Sequence, residues 1–389
     1  MTAVSAFLAD RAPGYSTLRR DLHAHPELGF EEHRTSALVA ERLRAAGYTV
    51  ETGIAGTGVV GTLSRGAGGP VIGLRADMDA LPMQEQTNLA HASTAEGKFH
   101  GCGHDGHTVS LLATAEALAA EGRFSGTLRV IFQPAEEGLG GGRRMVEEGL
   151  FTKLPCDRIF GFHNEPRLPF GTVTTRPGPQ MASADRFIIR LTGKGGHAAT
   201  PHMTRDSALL AAEITVALQG LVSRGIDPLH AAVLSVTQIH VGSADNVIAG
   251  EGQISGTVRC LHPEDRAFLE AGIRRIARAQ GAAREIDVEV IWEDGYPPLA
   301  SDAAAAQAAQ ALLSSAAAPV RFTDMPPIMA AEDFAYMLQA CPGAYLFFGM
   351  KRDGQDCPMV HSPFYDFDDG LIPVIAESMA ALVEAELPV

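Results

Sequence analysis

No stretch of this 389-residue chain approaches the roughly 18 unbroken apolar residues that a membrane-crossing helix needs, so no membrane partner is expected. Basic residues form no run. Lys and Arg total 31 against 46 Asp and Glu, a formal net charge of -15, which argues against nucleic acid or an anionic membrane surface as a partner. Cysteine is sparse. Cys102, Cys156, Cys260, Cys341 and Cys357 are odd in number and scattered, which excludes a disulfide framework and points to a reducing compartment. The opening MTAVSAFLADRAPGYSTLRRDLHAHPELGF has neither an apolar core of signal-peptide length nor a lipidation pattern, so a cytoplasmic location is expected. Repeats at solenoid periods are absent. The one biased stretch, SDAAAAQAAQALLSSAAA after Ala300, is rich in the best helix former and suits a surface helix better than a linker.

What is present describes a globular protein. The length favours two domains, and 46% hydrophobic with 20% charged residues supports a full core and argues against disorder. Helical segments at Tyr15–Arg20 and Glu31–Ala46 are followed by apolar strands at Gly58–Leu63 and Val71–Arg75. A helix from about Gly106 to Ala120 and strands at Thr127–Phe132 and Arg158–Phe162 continue the alternation. Strands separated by helices imply an α/β domain with a mixed, mainly parallel, twisted sheet covered on both faces. Between 185 and 293 the pattern becomes β-α-β-β-α-β, the ferredoxin-like α+β order. The first domain then resumes, so the expected organisation is 1–184 with 294–389, interrupted by 185–293.

Ligands of a parallel sheet gather beyond the carboxyl ends of its strands. VIGLR runs into Asp77 and Asp79, LRVIFQ into Glu136 and Glu137, and RIFGF into His163. HGCGHDGH carries Cys102, His104, Asp105 and His107 at a helix start, and His361 follows the last strand. Cys102, His104, Glu137, His163 and His361 mix soft, borderline and hard donors, which suits zinc or a manganese- or cobalt-type ion. Five donors exceed one structural zinc and match two ions sharing a bridge, for which a thiolate is chemically sensible. Adjacent side chains diverge, so Glu137 can ligate while Glu136 serves as general base. Asp79, and less strongly Asp77, would orient a ligating imidazole. Each signal alone has a plainer meaning. An acidic pair suits a solvated helix start, Asp105 a helix cap and His107 a packing or hydrogen-bonding role, while His23, His25, His33, His91 and His100 have no visible partners. The joint occurrence carries the reading.

RADMDALP, HGCGHDGH, FQPAEEG, FGFHNEP, GKGGHAATPH, NVIAG, GTVR, AEDF and HSPFYDF occur in this order along nearly the whole chain. Together they resemble the amidohydrolase branch of the aminoacylase/carboxypeptidase metallohydrolases, which includes hippurate hydrolases, N-acetyl amino acid deacetylases and auxin-conjugate hydrolases. The resemblance implies a catalytic domain with a lid or dimerisation domain, and hydrolysis of an N-acyl amino acid to a carboxylic acid and an amino acid. It also implies a homodimer and two divalent ions per subunit, of zinc, manganese, cobalt or nickel type. Cys102, His104, Glu137, His163 and His361 would be the ligands and Glu136 the acid/base. His197 resembles the family's lid histidine, which steadies an oxyanion, and Asn246 and Arg259 resemble substrate-holding positions. Arg259 suits either a grip on an α-carboxylate or a surface strand cation. Glu165 departs from the apolar residue common in relatives and would alter the field there. The rival readings are a metallo-carboxypeptidase or dipeptidase and a non-catalytic, metal-stabilised binding protein.

Overall fold

The computed structural model describes residues 2–315 and 318–389. Their contacts divide into two units, Met1–Gly178 with Ala300–Pro326 and Asp333–Val389, and Pro179–Leu299 with Pro327–Glu332. Among the described residues no helix is long and apolar enough to cross a membrane.

The first unit is built on an eight-stranded sheet. Its order is Thr49–Ile54, Gly58–Arg65, Gly126–Gln133, Val71–Asp77, Arg158–Pro169, Gly343–Lys351, Thr172–Thr174 and Arg321–Phe322. Its central pairings are parallel, and Thr49–Ile54 and Gly58–Arg65 add antiparallel strands at one side. Alternate residues of the central strands face opposite sides of the sheet, as a period of two requires. Val130, Phe132, Phe160, Phe162, Leu346 and Phe348 join the cluster completed by helices Ala3–Ala24, His104–Glu121 and Leu371–Glu386. The intervening Ile131, Ile159, Tyr345 and Phe347 are buried as well. Phe334, of the helix Phe334–Ala340, packs on Tyr345 with ring centroids 5.5 Å apart. Two covered faces explain why these strands read as continuous apolar runs.

Three differences from the sequence reading have simple causes. Thr49–Ile54 was not anticipated because it is an edge strand with mostly exposed side chains, which leaves little apolar signal. The strand expected to end at Phe162 continues to Pro169, since its ladder with Gly343–Lys351 runs on through Phe347↔His163 and beyond. The alanine-rich segment forms helix Ala303–Leu313, capped where the Asp302 carboxylate accepts from Ala305 N–H at 2.9 Å. It buries Ala305, Ala306, Ala309 and Leu313, so one face belongs to the core; Ala316 and Ala317 lie outside the described residues.

The second unit has its own core. Strands Ala184–Thr192, Ala232–Val241, Glu251–Cys260 and Asp287–Tyr296 form an antiparallel sheet, with Ala232–Val241 and Asp287–Tyr296 at its edges. Helices Ser207–Gly225 and Pro263–Ala283 pack on one another and supply Leu210, Ile214, Leu218, Leu269 and Ile273 to that core.

One buried polar cluster corrects two readings. Asp105 does not cap the helix His104–Glu121, whose N-cap is Gly103; its carboxylate lies 2.8 Å from His23 Nδ1. His23, with no exposed surface, also faces Glu85 at 3.5 Å, so it is no ordinary surface histidine. Partners 62 and 82 residues away leave no local trace in sequence. Burial by itself would lower the His23 pKa, but Asp105 and Glu85 raise it to about 9. Folded His23 therefore holds its proton more tightly than the unfolded side chain, whose pKa is about 6.5. The resulting stability is complete below that value and is lost as pH rises through about 9. Thermal unfolding followed from pH 7 to 10 should show a falling Tm, with up to about 3 kcal/mol at stake. H23Q should start lower at pH 7 and fall less steeply, and identical slopes for the two proteins would remove His23 from the cause.

Candidate metal centre

Five separate pieces of backbone deliver the suspected side chains, His163 coming from within the strand Arg158–Pro169. The strand Val71–Asp77 ends on Asp77 and leads into Asp79; both carboxylates are fully buried. Helix His104–Glu121 begins at His104, after Gly103 with φ of 95°. A Cβ at Gly103 would collide with Asn164 Oδ1 and Tyr365 Oη, so glycine is needed for both its dihedral and the close approach. Beyond the strand Gly126–Gln133, Ala135 turns with φ of 53° and its N–H donates to the buried Glu32 Oε1 at 2.8 Å. That turn presents Glu136 and Glu137. His361, also at positive φ (65°), is tied to the Cys102 loop by its N–H donating to Gly101 O at 2.8 Å.

The donors of Cys102, His104 and His163 all lie within 4.8 Å of one another, and so do those of Cys102, Glu137 and His361. Two triads therefore share one thiol. Ions bound at about 2.0–2.3 Å by sulfur and nitrogen place neighbouring donors roughly 3.5 Å apart, close to the 3.3 Å between Cys102 Sγ and His163 Nε2. The His104 Nε2 atom is buried without a hydrogen-bond partner, its nearest carboxylate oxygens being Asp77 Oδ1 at 3.8 Å and Glu137 Oε1 at 3.9 Å. A buried orphan aimed among a thiol and carboxylates fits a cation.

The opposite nitrogens are held. His104 Nδ1 faces Asp79 Oδ1 at 3.2 Å, and Asp79 Oδ2 accepts from Glu137 N–H at 2.9 Å, so Asp79 spans members of both triads. His163 Nδ1 donates to Asn164 O at 2.6 Å. His107 is held between Asp77 Oδ1 and Asn164 Oδ1, each at 2.6 Å. His361 Nε2 is 3.2 Å from Glu137 Oε1 and its side chain is half exposed.

Charge is unevenly matched in this cluster. Burial, then Glu137 and Glu136, pushes the Cys102 thiol well above its ordinary value. Burial alone would lower His104, but Asp77, Asp79 and Glu137 raise it to about 10. Burial opposes ionisation of Asp77, yet His104, Arg75 and His107 hold it well below the usual carboxylate range. His163 is pushed well below by burial and by His107.

Glu165 is buried, and Arg167 matches its charge with Nε to Oε1 at 2.8 Å and Nη2 to Oε2 at 2.7 Å. The field change expected of Glu165 is thus offset by an ion pair. In the second unit, His197 pairs with Val247, and Ala198 N–H donates to Asn246 O at 3.0 Å, which brings GKGGH beside NVIAG. A Cβ on Gly195 would meet Ile248 O at 2.9 Å, hence the glycines. Ala199 N–H donates to His197 Nδ1 at 3.0 Å, so a neutral His197 carries its proton on Nε2. Arg259 is half-buried and donates to Thr257 Oγ1 and, at 3.1 Å, to Val258 O.

A model of the peptidase family M20/M25/M40 matches residues 73–385. The chain belongs to this family. It is 39% identical over 375 residues to the hippurate hydrolase of Campylobacter jejuni, covering 95% of each chain. It is 38% identical over 374 residues to thermostable carboxypeptidase 1 of Saccharolobus solfataricus, covering 94% of this chain and 93% of that protein. The crystal structure of a dinuclear metal-binding M20 peptidase from Bacillus subtilis superposes with a TM-score of 0.84 at 33% identity, covering 96% of this chain and 98% of that one.

Arg75, Glu32, Asn164 and Asp333 also shape this M20 centre and were not singled out from sequence. Asp333 lies in the quoted AEDF motif and Arg75 in RADMDALP, but nothing local announces a buried guanidinium. Because Cys102 belongs to both triads, Cys102→Ala should bind fewer divalent ions per chain by elemental analysis than His361→Ala does. Equal stoichiometry in Cys102→Ala and the parent protein would take the thiol out of the centre.

Proposed function

We propose that this chain hydrolyses the amide bond of N-acyl amino acids, of the N-acetyl or N-benzoyl type, releasing a carboxylic acid and a free amino acid. The observation that carries the reading is a pair of donor triads sharing Cys102 with Glu136 beside them, since Glu136 lies within the same 4.8 Å group as His104 and Glu137.

Two divalent cations of zinc, manganese, cobalt or nickel type would supply Lewis acidity that polarises a carbonyl and acidifies a water. Cys102, His104 and His163 would hold one of them, and Cys102, Glu137 and His361 the other. Asp79 orients His104 and, through the Glu137 N–H, fixes the carboxylate that serves the second triad. Glu136 takes the proton of the attacking water and delivers it to the departing amine, which would otherwise leave as an unstable anion. Its Oε1 is held by the Asp333 N–H at 3.2 Å. His197 donates from Nε2 to the oxyanion that forms as the carbonyl carbon becomes tetrahedral. Asn246 and the permanently charged Arg259 bind substrate, the guanidinium gripping the α-carboxylate.

The second unit is read as a lid and dimerisation domain. Met203, Leu209, Val216, Ile239 and Val247 are exposed on it, apolar side chains that a homodimer contact would cover. A carboxypeptidase reading has the similarity to a carboxypeptidase in its favour. The two differ only in the acyl half, because both cleave an amide next to an α-carboxylate and a peptide merely adds a free amine.

A panel of N-acetyl and N-benzoyl amino acids beside the matching dipeptides separates them. N-acyl substrates should be turned over faster, chelator should abolish the activity and divalent ions should restore it. Faster cleavage of free-amine dipeptides would favour the peptidase, and turnover indifferent to exhaustive chelation would end both readings. Glu136→Ala should keep its metal content while kcat falls by about 10²–10⁴-fold. Near-normal turnover in that variant would refute Glu136 as the acid/base.

A further inference from the structure

Arg75 has no exposed surface, although it carries a charge that costs several kcal/mol to bury alone. Its guanidinium donates in three directions: Nη1 to Asp77 Oδ2 at 2.8 Å, Nε to Gln133 Oε1 at 2.8 Å and Nη2 to Asp333 Oδ1 at 3.2 Å. A planar fork can serve three acceptors at once, where an ammonium of similar reach cannot hold the same geometry. The Asp333 carboxylate is further fixed by Gln133 Nε2 at 2.7 Å and by Gly142 N–H at 2.7 Å. Every contact immobilises the main chain at 333, whose N–H donates to Glu136 Oε1. The other arm runs from Asp77 through His107 to Asn164, whose carbonyl accepts from His163. One buried cation thus touches the groups that aim Glu136 and the groups that aim His163.

We propose that Arg75 and Asp333 are positioning residues for Glu136, a buried clamp that holds the proton-transferring carboxylate in register with the donor triads. The proposal rests on the hydrolytic reading of Glu136 given above. Neither residue touches the reacting atoms. Their effect is on orientation, and orientation is where a small displacement is expensive: about 1 Å of misplacement can cost 10²-fold in rate.

Asp333→Asn tests this directly. The amide has one acceptor oxygen where the carboxylate serves Gln133 and Arg75 with one atom and Gly142 with the other, so an NH₂ must face a donor and the 333 main chain must move. Gly142→Ala moves the same residue from outside, because a Cβ there would lie 3.0 Å from Asp333 O and Oδ1. Both variants should fold and bind as many divalent ions per chain as the parent protein. Their kcat should fall by about 10–100-fold while KM changes by less than about threefold. Placed on Glu136→Gln, neither should lower the residual rate further, because the group they position is already disabled. Unchanged kcat in folded, metal-loaded Asp333→Asn, or an equal loss with and without Glu136, overturns the clamp and leaves the hydrolytic reading standing. Parental turnover in Glu136→Gln itself overturns both.

Discussion

Crowding of buried negative charge is the constraint on which the centre depends. Asp77, Asp79 and Glu136 are buried, Glu137 is nearly so, and the Cys102 thiol lies among them. Arg75 places its guanidinium against this group, where it serves Asp77 and Asp333. Carboxylates in a low-dielectric interior recover their lost hydration by drawing in hydrogen-bond donors and positive charge. His104 responds by holding a proton up to about 10 and Cys102 by keeping its own. Divalent cations would resolve both responses together, since they would take the lone pairs of imidazole and thiolate and offset the carboxylates. The same crowding leaves the Glu136 carboxylate within reach of His104 and Glu137.

Holding such a cluster together requires backbone that ordinary sequence avoids. Ala135 and His361 sit at positive φ without being glycine, a conformation that costs about 1–3 kcal/mol and persists only where the surroundings impose it. Here the surroundings are identifiable. Glu32 holds the Ala135 N–H and the Gly101 carbonyl holds the His361 N–H. The helix His104–Glu121 is buried along most of its length, and Gly106 faces the Phe367 ring where a Cβ would collide. The centre is therefore rooted in the main core, and the strain at its rim is offset by that packing.

Much of this is legible in the sequence. Alternation of apolar strands with helices announced the parallel sheet, because each strand buried on both faces must be continuously apolar and each crossover needs a helix. The donors were visible because chemistry of this kind collects at strand ends, where thiol, imidazole and carboxylate have no packing purpose. The polar edge strand Thr49–Ile54 was not visible, having no buried face to mark it. Nor were His23 and Asp105, whose partnership spans 82 residues, or the pairing of Glu165 with Arg167, which only the conformation of the strand decides.

The primary sequence by itself determined which chemical groups are available, their order, and the periodicities that make sheet and helix. It therefore determined the class of chemistry, because donor types and their softness are properties of residues. Only the tertiary structure decided that Cys102 stands in two triads at once, that Asp79 reaches both, and that Arg75 lies behind them. Those facts depend on distances between segments far apart in the chain. Side-chain identity is local, but the cost of burying a charge depends on everything folded around it.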